Sequence, residues 1–253
     1  MGRRRESAQA EPCAKLILLS SSHPLLKALL KEKLEQIESR IQKAAERAGR
    51  RRADITLLAV TKKFPAGIIR DAYEIGLRDF GENYVQEFEA KLPELRECHG
   101  ARFQLIGHLQ SNKSRKAAEI FQVIQTVDTP KLARRLHEDV GKTGAGGPLD
   151  VMIEVRLAPE EAKSGASPEE VPALVEAVRG RANLRLLGLM TIPPWSKDPE
   201  PSRPYFARLR ELAAKHQLTG LSMGMSNDFE VAIEEGATMV RIGTALFGPR
   251  RKD

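Results

Sequence analysis

Three short stretches carry side chains whose types and positions could do chemistry together. Lys62 follows the apolar run Leu57-Leu-Ala-Val60, which reads as a buried strand. A lysine leaving such a strand has a protected stem. Partial desolvation or a neighbouring cation lowers the pKa of its amine and makes it nucleophilic toward an aldehyde. The second stretch is Met223-Gly-Met-Ser-Asn-Asp228 and the third is Arg241-Ile-Gly-Thr244. Ser226 and Thr244 offer hydroxyls, Gly243 lets backbone N–H groups come close, and a helix entered after Asp228 favours an anion. Singly, these are a lysine snorkelling at a strand edge, a turn and a cap. Together, on the first and the last two strands, they make a phosphate pocket facing an amine. That combination favours a phosphorylated aldehyde cofactor.

The elements that must position these residues alternate along the chain. A first helix is predicted over 24–48, with Leu26, Leu30, Leu34, Ile37, Ile41, Ala45 and Ala48 on one face, Pro24 in its first turn and Gly49 past its end. Short apolar, β-rich runs then predict strands at 55–60, 78–80, 103–106, 123–127, 149–155, 184–190, 221–225 and 238–243. Helices are predicted between them, at 65–76, 84–97, up to 120, after Pro130, from the cap Ser167-Pro-Glu-Glu170, at 204–216 and at 229–235. The glycine-rich stretch 141–147 reads as a surface loop, because the alternation resumes at once. About eight strand–helix units in this length predict an α/β fold, a closed (β/α)8 TIM barrel with an extra N-terminal helix. No GxGxxG follows the first strand, which argues against a dinucleotide fold. In such a barrel the chemistry lies at the C-terminal ends of the strands, where the three stretches fall.

Composition bounds the alternatives. The chain has 253 residues, of which 41% are hydrophobic and 30% charged, enough for one large core. One domain over 23–253 is expected, preceded by an extension over 1–22 expected to be disordered. That extension faintly mimics a leader, but its apolar run is too short for one. Cys13 and Cys98 cannot build a disulfide scaffold, and no apolar run approaches the ~20 residues of a membrane span. A cytoplasmic location and no membrane are expected. The net charge is +7, but the basic residues lie mainly on helix faces and near the ends, with few aromatics between them. A solvated basic surface is the expectation, and no nucleic-acid partner.

Six blocks, in order, resemble one family: Ala59-Val-Thr-Lys-Lys63, Phe80-Gly-Glu-Asn-Tyr-Val-Gln-Glu87, Ile106-Gly-His-Leu-Gln-Ser-Asn-Lys113, Gly188-Leu-Met190, Ser222-Met-Gly-Met-Ser226 and Met239-Val-Arg-Ile-Gly-Thr244. Together they look like the pyridoxal phosphate homeostasis protein family, single-domain relatives of the alanine racemase barrel. The resemblance covers roughly 24–250. It implies a fold type III barrel that holds pyridoxal 5′-phosphate as a lysine aldimine. The implied role is intracellular cofactor homeostasis and supply to apo pyridoxal enzymes, without robust turnover and therefore not as an enzyme. A monomer is expected.

Carried over block by block, Lys62 matches the Schiff-base lysine. Ser226, Gly243 and Thr244 match the phosphate cup. Arg241 matches the arginine facing the pyridine nitrogen, and Asn83, His108 and Met190 match pocket-lining positions. No catalytic residue and no metal ligand are implied. Where common members read Lys-Thr-Lys-Pro, this chain has Lys62-Lys-Phe-Pro65. Alternation alone does not separate Lys62 from Lys63 at a strand end, and the block alignment assigns Lys62. Lys163-Ser-Gly165 is a further family-like stretch, read as a second cofactor contact or a surface loop. The alternative function is an amino-acid racemase or related low-activity pyridoxal enzyme. Its second base, a tyrosine from another domain, has no counterpart at a strand end here, since Tyr73, Tyr84 and Tyr205 fall elsewhere.

Overall fold

The computed structural model describes residues 24–143, 147–158 and 164–249. The extension 1–22, Lys163 and the basic residues 250–252 lie outside the described residues. Eight strands run parallel and close on themselves in sequence order. They are β1 (Thr56–Val60), β2 (Asp79–Glu82), β3 (Arg102–Leu105), β4 (Val123–Val127), β5 (Leu149–Glu154), β6 (Leu184–Met190), β7 (Gly220–Met225) and β8 (Met239–Ile242). The closing seam joins the first strand to the last, with Leu57 opposite Val240 and Leu58 opposite Arg241. The predicted TIM barrel is thus the observed fold.

The helices that carry the chain between strands are α1 (Pro24–Arg47), α2 (Ala66–Glu74), α3 (Val85–Lys91), α4 (Ser114–Ile120), α5 (Pro130–Thr143), α6 (Val171–Arg179), α7 (Arg203–Lys215), α8 (Phe229–Glu234) and α9 (Thr244–Phe247). Among the described residues, no helix is long and apolar enough to cross a membrane. The extra helix α1 buries Leu26, Leu30, Ile37, Ile41, Ala44 and Ala45, the face its periodicity predicts. It lies against α8, where Arg40 binds Glu230 at 3.1 and 2.9 Å and Arg47 binds Glu234 at 2.8 Å.

The two-residue period of a strand sorts the core into two layers. Leu57 and Ala59 of β1, Phe80 of β2, and Phe103 and Leu105 of β3 join the large apolar layer between sheet and helices. Leu58, Val60 and Ile106 form a small separate cluster within the barrel, with Met239 packed against it. The interior also buries polar side chains, among them Gln104, Gln125, Ser222 and Arg241.

Several boundaries differ from the sequence expectation. Helix α3 stops at Lys91 and passes into a 3-10 turn, Leu92–Glu94, because Pro93 has no N–H to continue the ladder. Helix α5 runs through Gly141 to Thr143, inside the stretch expected to be a loop, and its inner face buries Leu132, Leu136 and Val140. Ser167–Glu170 forms a turn instead of a helix start. The Ser167 N–H donates to Glu170 Oε2 at 2.7 Å, and α6 begins at Val171. The short α9 after the last strand was not anticipated.

Candidate functional site

One cavity of about 550 Å³ opens at the C-terminal ends of the strands. That size lies within the ~300–1,000 Å³ of small-molecule sites. Six of the residues singled out from sequence meet in its lining: Lys62, Asn83, Ser226, Arg241, Gly243 and Thr244. Val60, Ile106, Ile192, Pro194 and Met225 add apolar wall.

The inward parity of β1 continues past its end. Leu58 and Val60 face the barrel interior, and Lys62, two positions on, lines the cavity. Lys63 is exposed and is not among the lining residues. The period that left the two lysines unseparated in the sequence separates them here, because the turn keeps Lys62 on the inward side.

Arg241 is 3% exposed and forms one end of a chain of hydrogen bonds through the barrel interior. Its Nη1 donates to Ser222 Oγ and its Nη2 to the Thr191 carbonyl, both at 2.8 Å. Ser222 Oγ donates to Gln125 Oε1 at 2.6 Å, Gln125 Nε2 to Gln104 Oε1 at 2.6 Å, and Gln104 Nε2 to Asp79 Oδ1 at 2.8 Å. A guanidinium has donors only, so every hydroxyl and amide in the chain is oriented in turn. Burial pulls the Arg241 pKa down to about 10, with Asp228 and Glu154 opposing the shift. The group is still a cation at neutral pH.

The turn after β7 is built to hold three side chains in different directions. Ser226 Oγ accepts from the Ala245 N–H at 3.2 Å, tying this turn to the start of α9. Asn227 Nδ2 donates to the Ser196 carbonyl at 2.8 Å, tying it to the loop after β6. Buried Asp228 accepts from the Met225 N–H at 2.6 Å and from Ser202 Oγ at 2.9 Å. Gly224 makes the turn possible. Its φ is +89°, and a Cβ there would stand 2.5 Å from Ala232 Cβ.

Two predicted residues are not among the cavity's lining. His108 is exposed, and its Nδ1 lies 3.5 Å from Asp128 Oδ2. Met190 is fully buried at the end of β6. Near His108, burial pushes the Asp128 carboxyl up against the pull of the His108 ring. Glu154, at the end of β5, is pushed up by burial too, although Ser164 Oγ donates to its Oε1 at 3.2 Å.

The sequence reading missed Trp195, Ser196, Asn227 and Ala245, all of which line the cavity. Trp195 is 78% exposed at the rim. The signal was available: Thr191-Ile-Pro-Pro-Trp-Ser196 directly follows a predicted strand, and strand ends face the barrel mouth.

The closed parallel barrel thus sets a lysine beyond the first strand, a buried arginine on the last and a hydroxyl-bearing turn beyond the seventh around one cavity. Residues 33–251 match the family model described as alanine racemase, N-terminal domain. The pyridoxal phosphate homeostasis protein of Pseudomonas aeruginosa is 48% identical over 221 residues, covering 87% of this chain and 95% of that one. That of Escherichia coli K12 is 42% identical over 224 residues, covering 86% and 95%. The solved structure of PipY from Synechococcus elongatus PCC7942 with PLP bound has a TM-score of 0.74 and 37% identity, covering 87% of this chain and all of that one. The chain belongs to the pyridoxal phosphate homeostasis protein family.

Proposed function

We propose that this protein binds pyridoxal 5′-phosphate in the barrel mouth, attached covalently to Lys62, and serves as a reservoir that supplies the cofactor to apo enzymes. The observation that carries the reading is the meeting of Lys62, Ser226, Thr244 and Arg241 around one cavity of about 550 Å³. The residues present fit such a group. An amine, two hydroxyls, the Gly243 backbone, a buried cation and an apolar wall suit an aldehyde, a phosphate and a flat ring. When bound, the cofactor supplies an aldehyde to an amine and an electron sink to its adducts.

The chain's own residues set how far that sink reaches. Ser226, Thr244 and the backbone at Gly243 bind phosphate through charge-assisted hydrogen bonds, each worth ~1.5–3 kcal/mol. Arg241 offers donors only, so a ring nitrogen set against it stays unprotonated and draws electrons weakly. That pairing supports the holder role.

The test is a spectrum and a label. Purified protein should absorb in the near-visible, and borohydride should fix the cofactor to a peptide containing Lys62. Lys62→Ala should lose the label and the band while retaining weak cofactor affinity. Holo-protein should reactivate an apo pyridoxal enzyme and leave L-alanine optically unchanged. A label on Lys63 or Lys163 would reject the attachment site. Sustained racemisation at ~1 s⁻¹ or faster, the ordinary enzyme range, would replace the holder reading with an enzyme.

A further inference from the structure

Lys62 is the one residue of its turn that lines the cavity, and the residues on either side of it are held from behind the barrel wall. The Thr61 carbonyl accepts from the Phe64 N–H at 3.1 Å, which closes a four-residue turn with Lys62 and Lys63 at its centre. Lys63 takes φ +63°, the left-handed conformation that turns of this kind normally give to glycine. A strained, non-glycine turn persists where its surroundings over-determine it. Here the surroundings are Lys91, Glu82 and Glu87.

Lys91, the last residue of α3, is 8% exposed. Its Nζ donates to the Thr61 carbonyl at 3.1 Å and to Glu82 Oε1 at 2.8 Å, and it lies 2.7 Å from Glu87 Oε1. Thr61 Oγ1 donates to Glu82 Oε1 at 2.8 Å, and the Lys63 N–H donates to Glu87 Oε1 at 2.5 Å. One buried ammonium and two carboxylates therefore bind the backbone or side chain of both neighbours of Lys62. The arrangement is a costly way to fill space, because Glu82 is fully buried and its Oε2 has no hydrogen-bond partner among the described residues. Apolar packing of the same volume is commonly as stable or more so.

We propose that Lys91, with Glu82 and Glu87, forms a positioning group for Lys62: it fixes the turn from outside the barrel and so sets where the amine stands inside. The inference rests on reading Lys62 as the attachment point. In the attachment, the Lys62 amine forms a C–N bond to the aldehyde carbon and the carbonyl oxygen leaves as water. Borohydride then delivers hydride to the resulting C=N bond and makes the link permanent.

The experiment compares Lys91→Met, Glu87→Ala and Glu87→Gln with the wild type. One probe is pyridoxal 5′-phosphate, with the rate of borohydride-trappable label on Lys62 read by mass spectrometry. A second is pyridoxine 5′-phosphate, which lacks the aldehyde and reports binding alone. A third, free of any cofactor, is brief acetic anhydride labelling of Lys62 relative to the other lysines. Displacing a reacting group by ~1 Å costs up to about 100-fold, so Lys91→Met should slow attachment by about 10- to 100-fold and leave pyridoxine 5′-phosphate affinity within about twofold. Glu87→Ala, at a half-buried site that folds more safely, should slow it by about three- to tenfold, and Glu87→Gln, which keeps an acceptor for the Lys63 N–H, should recover most of that. Wild-type attachment rates in folded Lys91→Met and Glu87→Ala would overturn the proposal. If Lys91→Met does not fold, Glu87→Ala with its glutamine rescue decides. If the wild type itself never traps pyridoxal 5′-phosphate, the functional reading fails. The acetic anhydride comparison then still decides whether this group sets the reactivity of Lys62.

Discussion

Glu154 holds a carboxyl oxygen, Oε2, without a hydrogen-bond partner among the described residues, in a side chain that is almost wholly buried. Burial raises its pKa, with Asp128 adding to the effect and Ser164, Arg241 and His108 opposing it. The sign of the pH dependence follows. A carboxyl raised by folding binds its proton more tightly in the native state. Its contribution is fully present below the unfolded value of ~4.3 and is lost as pH rises through the folded value. Glu154→Gln, which keeps the shape and removes the charge, should therefore gain stability on the wild type as pH rises from acid toward neutral. Urea denaturation across that range measures it. A variant uniformly weaker at every pH would place the cost of Glu154 in its packing. This residue was not legible beforehand, since Leu149–Val155 reads simply as an apolar strand with a carboxylate near its end. Lys62, Ser226 and Thr244 were legible because a strand end followed by a polar or glycine turn has a fixed meaning in a barrel. His108 stands after such a strand as well, three residues past its end at Leu105, and is exposed near Asp128 outside the cavity's lining.

Among the elements, the β7–α8 connection carries the densest set of obligations, and Gly224 is its weakest tolerance. Alanine there would need φ +89° and would bring its Cβ to 2.5 Å from Ala232 Cβ and 2.9 Å from Phe229 Cα. Relief requires α8 to move away from β7, and Ser226 and Asn227 move with the turn. Gly224→Ala should cost about 1–3 kcal/mol, read by urea denaturation. Phosphate affinity should fall as well, read with inorganic phosphate as competitor. An unchanged denaturation midpoint would show that the turn has slack. Strand and helix identities were readable from two periods, 2 and 3.6, because each element buries only one face or lies wholly in the wall. Ends were less readable, and the reasons are local. Pro93 stops α3 through a missing N–H, whereas after Ser167 the chain closes a turn and α6 begins only at Val171. The short α9 has too few residues to show any period.

At the scale of the whole molecule, the first strand completes the sheet only by meeting the last. The register runs from Thr56 opposite Met239 to Ala59 opposite Ile242, so neither end of the barrel wall stands alone. Helix α1 lies over the same seam against α8. Unfolding should therefore be a single event. Far-ultraviolet circular dichroism and the emission of Trp195, the sole tryptophan of the chain, should give one common urea midpoint. An earlier fluorescence transition would mean that the mouth opens while the barrel persists. The hydrogen-bonded chain from Arg241 to Asp79 has a further consequence, which concerns what this core could become. Interiors usually accept many sequences of similar volume. This one has a syntax: each polar position must present an acceptor toward Arg241 and a donor away from it. Glutamate at position 125 would match glutamine in size, yet an ionised carboxylate has no donor for Gln104 Oε1. Turning the Gln104 amide would mend that bond and set an oxygen against Asp79, so the error is only moved along. A single charged residue at the cavity's base thus dictates the spelling of the barrel down to the far end.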